Sequence, residues 1–173
     1  MSQQELQKDF LKFWNHISLR TIDETLIVLK GHLLLEDLMR EYCASRVQHE
    51  KYLEEAKLSF LQLTHLVKAF HKYQPPEWVW AALKKVNGLR NKLAHKLIPI
   101  DYEKSRDEFI DFVKKASKSE TDMFSVFTHK IEQLAMAIFI AHTALSVSLR
   151  FEPKGLLSLN LLLDEAKNDD AVS

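Results

Sequence analysis

One segment of the chain, between Trp78 and Ile100, carries residue types that could do chemistry on an anion. Arg90 offers a guanidinium, which binds oxyanions through paired N–H groups, and His95 offers an imidazole, which exchanges protons near neutral pH. The segment contains no Asp or Glu, and its basic residues are Lys84, Lys85, Arg90, Lys92 and Lys96. A local excess of positive charge of this kind predicts an anion-binding surface.

The stretch that follows is acidic and offers a second explanation for the same charges. Its acidic residues are Asp101, Glu103, Asp107, Glu108 and Asp111. Two neighbouring helices of opposite charge would attract each other, with each exposed pair contributing about 0.5 kcal/mol. The charges alone leave both interpretations open.

A rotation of about 100° per residue divides the predicted helix into an apolar and a polar face. The apolar stripe, which we expect in the core, consists of Val79, Ala82, Val86, Leu89, Leu93 and Leu97. The opposite face consists of Trp80, Lys84, Asn87, Asn91 and His95, with Gly88 beside them. Asn91 and His95 point the same way, whereas Arg90 and His95 diverge by about 140°. Arg90 must therefore reach around the helix to join that face.

The string Leu89-Arg90-Asn91-Lys92-Leu93-Ala94-His95, preceded by an apolar helical run, resembles the Arg-polar-x3-His signature of HEPN domains. These are all-helical proteins that include many ribonuclease toxins. The order of helices is also similar, with a long helix from Asp23 to Arg46 before the motif. The resemblance covers the fold of most of the chain, although only this short string is specific.

The resemblance implies metal-independent cleavage of RNA in a cleft between two protomers, each contributing one motif. It makes His95 the group that exchanges a proton with a ribose 2′-hydroxyl or the leaving oxygen, and Arg90 the group that holds the scissile phosphate. Asn91 would orient the phosphate or the imidazole. A twofold axis near Gly88 could bring Arg90 of one chain close to His95 of the other. The predicted RNA-binding residues are Lys84, Asn87, Lys92, Lys96 and Trp80.

A different class of function fits the same residues. The polar face could be a dimer interface in a catalytically inactive HEPN-like or mannitol-repressor-like protein that binds a partner or nucleic acid. The expected partners are therefore RNA, a second copy of the chain and, for a toxin, an antitoxin or regulatory protein. In HEPN-like proteins polar residues of an early helix face the motif, so Glu36 or Asp37 is a candidate partner of Arg90; a solvated helix face is the alternative.

Other groupings in the sequence point to no further chemistry. His32 with Glu36, and His129 with Glu132, have the spacing of paired metal ligands, but the sequence places no third ligand beside either pair. Cys43 has no histidine at a fixed spacing to activate it. There is no glycine-rich phosphate loop, and we expect neither a metal nor a cofactor.

Composition and periodicity predict an all-α bundle of about six helices. The 173 residues include only 3 Gly and 4 Pro, which favours helices joined by short loops. The apolar spacing predicts helices at about 3–20, 22–46, 58–73, 76–98, 101–116 and 121–149. In the second of these, Thr21 is the predicted N-cap and Gly31 a possible kink.

We expect a single domain in the cytoplasm. Residues 1–153 would form the core bundle, 154–167 a docking helix or arm, and 168–173 a disordered tail. The N-terminal segment lacks the order of a signal peptide, and a lone cysteine cannot form an internal disulfide. The apolar stretch from Ile131 to Leu149 contains Glu132 and His142, so we interpret it as a core helix rather than a membrane span.

Overall fold

The computed structural model describes residues 11–17, 23–72, 74–95, 101–117, 124–125 and 127–150. Its helices are α1 (residues 11–16), α2 (Glu24–Ala44), α3 (Glu50–Glu55), α4 (Phe60–Phe70), α5 (Glu77–His95), α6 (Tyr102–Ala116) and α7 (Lys130–Arg150). The described residues contain no strand, so the predicted all-α bundle is confirmed. The predicted arm and tail lie outside these ranges, as do residues 3–10 and 18–20 of the predicted first helix, whereas residue 17 is described and is not helical.

Short-range hydrogen bonds explain where the helices begin. Asp23 caps α2 by accepting from the backbone N–H groups of Thr25 and Leu26 at 2.9 and 3.3 Å. The predicted cap, Thr21, lies outside the described residues. Ser59 and Gln62 form a reciprocal capping box at the start of α4, and α5 begins at Glu77, one residue after the predicted start at Pro76.

Several of the predicted helix boundaries were wrong, and one short helix was not predicted. The long apolar helix begins at Lys130 rather than at residue 121, because residues 127–129 are not helical and Glu132 accepts from the backbone N–H of His129 at 3.4 Å. The second helix ends at Ala44 rather than at residue 46, and the helix predicted at 58–73 spans Phe60–Phe70. The short helix α3 was not predicted, since it buries none of its residues and so has no apolar stripe to reveal it.

Helix α7 forms the centre of the core. Residues 134–142 are all buried, and the helix packs against α2, α5 and α6. By length and composition α7 could cross a membrane, but most of its residues are buried against the other helices, as predicted for a core helix. His142, near its middle, is buried with its ring centroid 5.5 Å from that of Phe13.

Helix α2 lies unusually close to α7 at Gly31. The helix is unbroken there, so the predicted kink is absent. A Cβ atom at this position would lie 2.7 Å from Cγ2 of Ile138, which is shorter than any ordinary van der Waals contact. The glycine therefore permits close packing of the two helices.

A buried histidine ties the end of α4 to α2 and α7. His71 Nε2 donates to the backbone carbonyl of Ser148 at 2.9 Å, and its Nδ1 lies 2.9 Å from the hydroxyl of Tyr42. Because Nε2 carries the donated proton, Nδ1 accepts from the tyrosine in the neutral ring. This pair of bonds fixes the chain direction just before α5 begins.

Helix α5 is surrounded on most sides, with contacts to α2, α4, α6 and α7. The predicted stripe is confirmed for Val79, Ala82, Val86 and Leu89, which are buried, and Leu93 is half-buried against the same core. The prediction that Trp80 lies on the exposed polar face was wrong. Its side chain is only 4% exposed, and Lys68 of α4 places its Nζ 5.0 Å from the centre of the indole ring.

Candidate functional site

The outward side of α5 presents a small polar surface built around Arg90 and Asn91. Nη1 of Arg90 donates to Oδ1 of Asn91 at 3.2 Å, so the guanidinium lies beside the exposed amide of the next residue. Across the described ranges this is the one hydrogen bond that the Arg90 side chain makes, which leaves its other N–H groups available to an anion. Lys84, which precedes Arg90 by six residues on α5, is exposed.

His95 is the last residue of α5. Its side chain lies outside the described part of the chain, as does Lys96. The convergence of Arg90 and His95, within one chain or across a dimer, therefore stays a prediction.

The polar face of α5 contacts α2 through a buried histidine. His32 Nε2 lies 3.1 Å from Oδ1 of Asn87, and the His32 side chain is only 6% exposed. Phe60 of α4 covers the imidazole with ring centroids 4.3 Å apart and an angle of 30° between the planes. Nδ1 of the same ring lies 3.8 Å from Oε2 of Glu36. His32 is thus the residue of α2 that contacts the polar face of α5.

The predicted pairing of Glu36 or Asp37 with Arg90 is not what the structure contains. Glu36 pairs with Arg40, through Nη2 at 2.7 Å and Nε at 3.1 Å, and Arg40 also donates to the carbonyl of Leu58. Asp37 is exposed and lines a groove between α2 and α3. The sequence shows that His32 and Glu36 have an i, i+4 spacing on α2, but this spacing suggested only that the two residues form a pair of metal ligands.

Burial controls the protonation of His32. Removal from solvent lowers the pKa of the imidazole below its usual 6.5, whereas the bond to Asn87 and the Glu36 carboxylate raise it and the Arg90 guanidinium lowers it further. Since burial is the largest effect, the ring is neutral at pH 7.

We expect the free energy of unfolding to fall as the pH drops below 6.5, in part through His32. The unfolded chain takes up a proton at pH 6.5, while the folded chain resists it, so the contribution is complete above 6.5 and is lost as the pH falls toward the lower folded pKa. Glu36 of α2 and Arg90 of α5 are the charged groups facing the ring, and α4 contributes only Phe60. Urea unfolding at several pH values measures this slope.

The matched variant for this measurement is His32→Gln, which keeps a donor for Asn87 and removes the titration. Its unfolding free energy should depend less on pH between 5 and 6.5, by up to about 1.4 kcal/mol per pH unit, the limit for one proton. Equal slopes for the two proteins would contradict the assignment of a lowered pKa.

The neighbouring helix α6 uses part of the positive charge of α5. Lys92 Nζ donates to Oγ of Ser105 at 2.8 Å and to the carbonyl of Asp101 at 3.4 Å, and Lys85 Nζ lies 5.4 Å from the centre of the Phe112 ring. The two helices pack together as one interpretation predicted, but through these atoms rather than through carboxylates.

The five predicted RNA-binding residues lie in different surroundings. Lys84 is exposed, Asn87 contacts His32, Lys92 is bonded to α6, Trp80 is buried and Lys96 is not described.

Nucleophilic and metal chemistry find no support among the described residues. Cys43 is buried, and burial raises the pKa of its thiol to about 11, so almost no thiolate exists at pH 7. Within the described ranges no three His, Cys, Asp or Glu residues lie together as metal ligands.

The fold and the site define an all-α bundle with a basic, amide-rich surface on α5. No family model, curated protein or solved structure matches this chain.

Proposed function

We propose that this protein is a HEPN-like, metal-independent endoribonuclease that acts as a homodimer. The observation that carries the proposal is the Arg90-Asn91-x3-His95 sequence at the end of α5 in an all-α bundle, with the Arg90 guanidinium bonded to Asn91. An arginine that no α2 carboxylate neutralises is suited to bind a phosphodiester.

In this mechanism each group has one role. His95 takes the proton of the ribose 2′-hydroxyl as that oxygen attacks phosphorus, and the imidazolium so formed gives a proton, directly or through water, to the departing 5′-oxygen. Arg90 stabilises the charge that develops on the phosphoryl oxygens. Asn91 orients the phosphate or the imidazole. The products are a 2′,3′-cyclic phosphate and a 5′-hydroxyl.

The biological setting that suits such an enzyme is a cytoplasmic toxin or defence component. Uncontrolled cleavage of cellular RNA is harmful, so an antitoxin or other regulatory protein would hold the enzyme in check. Lys84, which is exposed, would contact the RNA backbone near the motif.

A second candidate function is a catalytically inactive, mannitol-repressor-like binding protein. One observation favours it: three of the five predicted RNA-binding residues, Asn87, Lys92 and Trp80, make contacts within the chain. A helix face whose side chains stabilise the bundle in this way would bind a partner protein rather than a substrate.

Cleavage of a short defined RNA in the presence of a chelator distinguishes the two. The wild-type protein should cut an all-ribose oligonucleotide and leave a 2′,3′-cyclic phosphate, identified by mass spectrometry. It should not cut the same strand with a 2′-deoxyribose at the scissile position, because the attacking oxygen is missing. Cleavage that requires Mg²⁺, or that proceeds equally on the deoxy strand, would contradict the proposed chemistry.

The dimeric site makes a separate quantitative prediction. If each site takes Arg90 from one protomer and His95 from the other, a heterodimer of Arg90→Ala and His95→Ala has one intact site of two. After subunit exchange at equal concentrations, half of the dimers are mixed, so the mixture should regain about a quarter of wild-type cleavage. Two inactive proteins that stay inactive when mixed would show that both residues act within one chain or not at all.

A further inference from the structure

His32 occupies a position that the proposed mechanism does not use. It lies in a buried contact between α2 and α5, only 6% exposed, with Phe60 against its ring and Asn87 at 3.1 Å. A side chain removed from solvent in this way cannot touch RNA. Any effect of His32 on cleavage must therefore be indirect, and Asn87 is the α5 residue to which its ring is hydrogen-bonded.

The direction of the hydrogen bond orients the Asn87 amide. Oδ1 faces His32 Nε2, and an amide oxygen only accepts, so the imidazole must donate. The other end of the amide, Nδ2, carries two N–H donors. In the described part of the chain the bond to His32 is the one side-chain hydrogen bond of Asn87, and this leaves both donors available.

The position of Asn87 relative to Arg90 gives these donors a use. The two residues are three apart on α5, a spacing that brings side chains together on one side of a helix. The Arg90 guanidinium is bonded to Asn91, one turn after Asn87, so the cation and the Asn87 amide lie within one turn of α5.

We propose, building on the ribonuclease function above, that His32 is a positioning residue which holds the Asn87 amide so that its Nδ2 group donates to a phosphate oxygen of bound RNA beside Arg90. The three side chains would then act together: Arg90 and Asn87 bind adjacent oxygens, and His32 fixes the orientation of the amide from behind. Free rotation of the amide would present Oδ1, which repels the phosphate, for part of the time.

The tautomer of His32 in the wild-type protein is the first test, and it needs no RNA. Nitrogen-15 NMR of the imidazole at pH 7.5 should find the proton on Nε2. A proton on Nδ1 would overturn the proposal, because Nε2 would then accept from the Asn87 Nδ2 group and the amide would be reversed.

Kinetics provide the second test. His32→Gln keeps an N–H donor near the place of Nε2, and His32→Leu removes it with little change in volume. The leucine variant should lose about 10- to 100-fold in kcat/KM, as expected for a misplaced substrate-binding group, whereas the glutamine variant should retain cleavage within about threefold. Asn87→Ala should lose as much as His32→Leu, and the double variant no more than either. Thermal unfolding verifies that each variant is folded at the assay temperature.

The outcomes separate the positioning role from the function on which it depends. If Arg90→Ala and His95→Ala abolish cleavage while His32→Leu cleaves normally, the positioning role alone is overturned. Equal losses for His32→Gln and His32→Leu, or additive losses with Asn87→Ala, overturn it as well, since both point to packing. Wild-type protein that cleaves no RNA overturns the ribonuclease function and this inference with it.

Discussion

Replacing His95 with alanine is expected to lower kcat for cleavage of a defined RNA about 10²- to 10⁴-fold. This is the usual contribution of a positioned side chain that transfers a proton in the transition state. His95 ends α5 and follows Arg90 by five residues, and the substitution changes none of the buried stripe residues Val79, Ala82, Val86 and Leu89. The measurement is single-turnover cleavage of a labelled oligonucleotide in the presence of a chelator, with Tm as the check on folding.

The control for this variant is His65→Ala. His65 is an exposed histidine on α4, another helix of the same bundle, and its removal should leave cleavage unchanged. Arg90→Lys adds a second comparison, since lysine keeps the charge but loses the forked pair of donors that a phosphate accepts. We expect the lysine variant to lie between wild type and Arg90→Ala. Equal loss in His65→Ala and His95→Ala would show that the contribution is not specific to the motif.

Replacing Gly31 with alanine should destabilise the fold, and the same substitution at Gly88 should not. A Cβ at Gly31 meets Cγ2 of Ile138 at 2.7 Å, and this methyl is attached to a branched Cβ that cannot turn aside without moving a helix. A Cβ at Gly88 has nothing within 4 Å. The gain in helix propensity, about 1 kcal/mol, is common to both positions and cancels in the comparison.

The difference in unfolding free energy between the two alanine variants should therefore be about 1–3 kcal/mol, the usual cost of overpacking a core. Chemical denaturation followed by circular dichroism gives this difference directly. A Gly31→Ala protein as stable as Gly88→Ala would mean that α2 and α7 are not in the close contact described here.

The apolar pattern predicted the helices well because the apolar residues recur with the 3.6-residue period of an α-helix. Val79, Ala82, Val86 and Leu89 are buried as expected, and α6 was predicted to within a residue at each end. The break before α7 was missed because the apolar residues continue across it, while the start of the helix is marked only by a hydrogen bond from His129 to Glu132.

The candidate site was less predictable, since it depends on which helix covers which face. A helical wheel places Trp80 beside Asn87, but it cannot show that α4 packs over the indole. The contact between His32 and Asn87 joins residues 55 apart in sequence, and no local pattern encodes it. Hydrophobicity is no guide to burial at single positions either, since Leu33 and Leu61 are more than half exposed.

The most direct test of the proposed function is incubation of the purified protein with total RNA in the presence of a chelator, comparing wild type with Arg90→Ala and His95→Ala. The ribonuclease proposal predicts that wild type degrades the RNA and that both variants leave it intact. RNA that stays intact with wild-type protein, or that is degraded equally by all three, would contradict it.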